Sequence, residues 1–97
     1  MTNEEIWNIG LEERTDELSK LQSEYDRLDV ECRKAEFEKD MYARLRDVNN
    51  AMLYKQKFSE KYEKCARASE KLTKQKNALE NEISDLKKEI YYINSLM

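Results

Sequence analysis

From Leu11 the apolar residues of this chain recur at alternating steps of three and four. They are Leu11, Leu18, Leu21, Tyr25, Leu28, Cys32 and Ala35. That spacing keeps one helix face apolar and defines a heptad seam with position a at 11, 18, 25 and 32, interrupted only by Arg14. A second seam reads Phe58, Tyr62, Cys65, Ser69, Leu72, Lys76, Leu79, Ile83, Leu86, Ile90, Ile93 and Met97, with a at 62, 69, 76, 83, 90 and 97. The two seams stand two residues out of phase. A stutter or stammer inserts four or three residues, so neither alone reconciles them. The pattern predicts an all-α chain of two long coiled-coil helices with a discontinuity between residues 36 and 50.

Asp47-Val48-Asn49-Asn50 is the best place for the break, because Asp and Asn bond to nearby backbone and are poor in helix interiors. The expected organisation is a cap segment at 1–10, a first helix at 11–46, a turn at 47–50 and a second helix at 51–97. Thr2-x-x-Glu5 has the form of a capping box, and Gly10 is either a break or a weak point within helix. An antiparallel hairpin in which paired residue numbers add to 97 sets every a of one seam against a d of the other. It stacks Leu11 on Leu86, Leu18 on Leu79, Tyr25 on Leu72, Leu28 on Ser69, Cys32 on Cys65 and Ala35 on Tyr62. Arg14 against Ile83 and Leu21 against Lys76 fit less well.

The competing arrangement is a continuous parallel dimer. The second seam extends back through Ala51, Val48 and Met41, and Ile83 and Ile90 at a with Leu79 and Leu86 at d suit two parallel strands. The hairpin is preferred because it accounts for the phase break.

Charge sharpens the hairpin reading. Residues 1–40 carry 13 acids and 6 bases, residues 41–78 carry 4 acids and 10 bases, and residues 79–97 carry 4 acids and 2 bases. Antiparallel pairing is expected to lay the acidic first arm along the basic stretch of the second. With 40% charged residues, one Gly and no Pro in 97 residues, the chain has no means of folding back several times into a compact domain.

Candidate chemistry is sparse. No His is present, no Gly-rich phosphate loop occurs, and Cys32 and Cys65 lack metal-ligand spacing. No catalytic residue, cofactor or metal is expected, and the chain is read as a non-enzyme. No run of apolar residues is long enough to span a bilayer, and the acidic opening is unlike a signal peptide. An intracellular, cytoplasmic or cytoskeleton-associated protein is expected.

Binding is a different matter. The seam residues Leu11, Leu18, Leu21, Tyr25, Leu28, Cys32, Phe58, Tyr62, Cys65, Leu72, Leu79, Ile83, Leu86, Ile90 and Ile93 are the candidates for self-association. Around residues 41–66 the apolar face is wider than two strands need, so Met41, Leu45 and Met52 are candidates for receiving further helices. Trp7, Tyr91 and Tyr92 lie off the seams and form a candidate aromatic tip, Trp7 being expected opposite Ile90.

The expected function is a noncatalytic coiled-coil scaffold or assembly subunit. It would pair with itself, as a dimer, and with other helical proteins, as in cytoskeletal, centrosomal, kinetochore or trafficking complexes. One alternative is a small inhibitor or adaptor inserting a helical hairpin into a partner's groove. Another is an electrostatic binder of nucleic acid or a membrane surface through the basic stretch 55–74, where Lys55, Lys57, Lys61, Lys64, Arg67, Lys71 and Lys74 flank Phe58 and Tyr62.

Overall fold

The computed structural model describes residues 1–96, so the seam position expected at Met97 lies outside the described residues. Helix α1 spans Asn3–Val48 and helix α2 spans Met52–Leu96, and no strand occurs among the described residues. The fold is an all-α helical hairpin. A continuous parallel rod is ruled out by the break at residues 49–51.

Local chemistry accounts for the ends of both helices. Glu5 N–H donates to Thr2 Oγ1 at 3.2 Å and Thr2 N–H donates to Glu5 Oε2 at 3.4 Å, which closes the expected capping box. In the turn, Ala51 N–H donates to Asn49 Oδ1 at 3.1 Å, and Lys55 N–H donates to the Ala51 carbonyl at 3.0 Å to start α2. The Asn49 side chain thus replaces a backbone acceptor where the helical ladder is broken. Gly10 lies inside α1 without positive φ, so it is a weak point in the helix and not a break.

The chain divides into two compact units. Unit 1 is Met1–Arg27 with Asn77–Met97, and unit 2 is Leu28–Lys76. In unit 2, Leu28, Cys32, Ala35 and Ser69 are buried; in unit 1, Leu79 and Leu86 are. The remaining seam residues, Leu11, Leu18, Leu21, Tyr25, Phe58, Tyr62, Cys65, Leu72, Ile83, Ile90 and Ile93, are half-buried. Two helices enclose little interior, and among the described residues no large side chain is fully buried.

Burial also resolves the phase break. The half-buried positions of α1 continue through Lys39, Tyr42 and Arg46, and Asn49 in the turn follows in the same phase begun at Leu11. Met41 and Val48, through which a continuous helix would have extended the second seam, are exposed instead. The seam of α1 is carried to the turn by polar and aromatic residues whose stems and rings cover the partner helix.

The register differs from the expected one by a full heptad. In unit 2, Asp29 bonds Lys76, Cys32 meets Thr73 and Cys65 meets Glu38; in unit 1, Arg14 bonds Glu89. These paired numbers add to 103 or 105 where 97 was expected. The expected pairings are therefore all corrected: Leu11 with Leu86, Leu18 with Leu79, Tyr25 with Leu72, Leu28 with Ser69, Cys32 with Cys65 and Ala35 with Tyr62, and likewise Arg14 with Ile83 and Leu21 with Lys76. A heptad pattern looks the same after a slide of seven residues, so apolar spacing cannot choose between the two registers. The charged seam residues can, since the slide gives both Arg14 and Lys76 an acidic partner.

The acidic first arm meets the basic stretch of the second at Asp29 with Lys76, as expected, while the two units differ in net charge. Unit 1 holds 12 acids and 5 bases, a net of −7, while unit 2 holds 9 acids and 13 bases, a net of +4. Each unit keeps its own sign.

Candidate interaction surfaces

At about 100° per residue, Val30, Phe37, Met41, Leu45 and Val48 fall on one stripe of α1, on the far side of the helix from its buried seam. Their steps of 7, 4, 4 and 3 add to 18 residues, which is about five turns of a straight helix. Phe37 is 68% exposed and Val48 75%, while Met41 and Leu45 are a little over one-third exposed. Phe37, Asp40, Met41, Arg44 and Leu45 line a shallow groove along this stripe. Of these residues, Met41 and Leu45 were candidates from the sequence. Val30 and Phe37 were not, because only the straight 3.6-residue period, followed apart from the heptad seam, reveals them.

Unit 2 carries a second apolar surface at the start of α2. Met52 is 81% exposed, followed by the exposed Leu53 and Tyr54. Leu53, Tyr54, Gln56, Lys57 and Glu60 line a groove there. Tyr54 stacks toward Phe58 with ring centroids 6.5 Å apart, and Phe58 stacks in turn on Tyr42 at 6.3 Å. This places Tyr54 at the outer end of a row of rings whose inner members close the hairpin.

The basic stretch is partly neutralised within its own helix. Arg67 pairs with Glu63 at 3.6 Å and Lys74 with Glu70 at 3.5 Å, while Lys61 lies over the Tyr42 ring at 5.5 Å. Lys55, Lys57, Lys64 and Lys71 are exposed and form no ion pair among the described residues.

In unit 1, Trp7 lies beside Asn3, Glu4 and Leu96 around a groove. Ile6, Trp7 and Ile9 are each between 39% and 52% exposed, and Leu96 is 74% exposed. The heptad slide moves Trp7 away from its expected place opposite Ile90. Tyr91 and Tyr92 pack edge to face at 5.7 Å and remain mostly exposed, and among the described residues neither makes a ring contact with Trp7.

The polar positions inside the hairpin are occupied by internal pairs. Lys76 Nζ donates to Asp29 Oδ1, and Arg33 also reaches Asp29, at 3.1 Å. The hydrogen bond from Lys76 holds the Asp29 carboxyl below the usual carboxylate range, reinforced by the charge of Arg33 and opposed by partial burial. Burial pushes the Cys65 thiol up, and the neighbouring Glu38 carboxylate pushes it further. Among the described residues no cluster of His, Cys, Asp or Glu could hold a metal ion, and no helix is long and apolar enough to cross a membrane. No protein-family model, curated protein or solved structure matches the chain.

Proposed function

We propose that the chain is a noncatalytic interaction protein, a scaffold or assembly subunit that offers a helical face to other helices. The observation that carries this reading is the stripe Val30, Phe37, Met41, Leu45 and Val48, apolar and exposed on α1 although the hairpin needs none of it for its own seam. Contiguous exposed apolar surface on a small chain marks an interaction site, and a five-turn stripe fits another helix laid along it. The thin interior supports the same reading, since a third or fourth helix would bury what two leave open. An intracellular setting belongs to this proposal.

Replacing Phe37 and Met41 together with Glu tests it. The variant should keep its helical circular dichroism and melting temperature, because both residues lie off the seam. Proximity labelling in cells should then lose the neighbours that the wild-type chain marks. An unchanged set of labelled neighbours would contradict the assignment of this stripe.

A further inference from the structure

We infer that the chain assembles head to tail with copies of itself. In this arrangement the basic apolar face at Met52, Leu53, Tyr54 and Lys57 of one copy docks on the acidic apolar face around Glu4 and Trp7 of the next. The inference rests on the interaction role proposed above and narrows its partner to a second copy of this chain.

The two faces are complementary in chemistry. The first offers exposed Leu53 and Tyr54 in a groove with Lys57, where Lys55 alongside outweighs the single acid of the lining, Glu60. The second offers Trp7 and Leu96 in a groove with Glu4, with Glu5 and Ile6 next to it. Each is an aromatic and aliphatic centre with charge at its edge, the composition that carries binding energy in protein interfaces.

Charge selects the second copy over other occupants. Because unit 1 holds a net −7 and unit 2 a net +4, each chain carries a region of each sign. An anionic bilayer or a nucleic acid would attract the lysines of unit 2 but repel unit 1. A two-fold contact of the basic face with itself would set Lys55 and Lys57 against their own copies. Pairing unlike faces avoids both penalties. A contact between two different faces is not saturated by one partner, so it propagates into open chains or closed rings of copies.

Sedimentation velocity on the full chain tests this, with Leu53→Glu and Trp7→Glu as the blocking variants. Wild-type chain should grow beyond the 11.7 kDa monomer with concentration at low salt and return toward it as salt shortens the electrostatic range. Each variant alone should stay monomeric while keeping its helical dichroism, and an equal mixture of the two should give pairs of twice the chain mass and nothing larger. As a second route, Lys57→Glu should weaken association roughly fivefold, and adding Glu4→Lys to the same chain should restore it.

A wild-type chain that stays monomeric at low salt overturns the proposal, as does either blocking variant dimerising by itself. So does a monomer that binds phosphatidylserine and phosphatidylcholine vesicles without self-assembling. If self-assembly fails while the labelled neighbours still depend on Phe37 and Met41, the head-to-tail contact falls and the broader interaction role stands.

Discussion

Cys32 lies across the helix pair from Thr73, its Sγ 3.4 Å from Thr73 Oγ1, while Cys65 meets Glu38 on the facing helix with Sγ 3.9 Å from Oε2. Both thiols are free, and each sits at its own level of the seam. A disulfide needs Cα atoms within about 7 Å, and two cysteines in different layers of an antiparallel pair do not meet that condition. Mild oxidation of the monomer should therefore leave two titratable thiols and form no internal bridge. Cys65 should also react slowly with thiol reagents at neutral pH, because burial and Glu38 both disfavour its thiolate. Mass spectrometry under denaturing conditions, with alkylation before and after oxidation, checks both outcomes.

Leu28 is 5% exposed and lies beside the layer in which Lys76 pairs with Asp29. Leu28→Ala should cost about 2–4 kcal/mol, from lost burial and an unfilled cavity. In a chain of this size each kcal/mol shifts the melting temperature by roughly 4–8 °C. Leu11→Ala should cost less, because Leu11 is only half-buried. Thermal melts followed by circular dichroism compare the two, and equal losses would contradict the difference in burial.

Asp29 makes stability depend on acid. Its folded pKa is lowered by Lys76 and Arg33, so its contribution is fully present above its unfolded value of about 3.9 and is lost as the pH falls through the lower, folded value. Asp29→Asn should be less stable than wild type at neutral pH, and the gap between them should close on acidification below about pH 4. Chemical denaturation across that range reads the convergence; a constant gap would assign the loss to packing alone.

Gly10→Ala should stabilise the chain by about 0.5–1 kcal/mol. Gly10 sits within helix without positive φ, and an added Cβ would meet only the tip of the flexible Arg14 side chain, at 3.4 Å. Arg14 Nη1 already donates to the Gly10 carbonyl at 3.1 Å, and that bond can persist in the variant. A lower melting temperature would show that the contact with Arg14 outweighs the gain in helix propensity.

Helix, turn region and seam residues were legible in the chain itself, for local reasons. Leu11 to Ala35 and Phe58 to Ile93 repeat with a heptad spacing that suits helices with one buried face, Thr2 with Glu5 supplies a cap, and Asn49 and Asn50 mark the turn. The exposed stripe at Phe37 and Met41 was only half visible, because its residues follow the straight helical period while the seam follows the heptad. Register was decided by tertiary structure alone. Apolar side chains are interchangeable after a seven-residue slide, so the choice fell to a few directional polar contacts, Lys76 on Asp29 and Arg14 on Glu89, which exist only once the two helices face each other. The opposite net charges of the two units, by contrast, come from the uneven distribution of acids and bases along the chain.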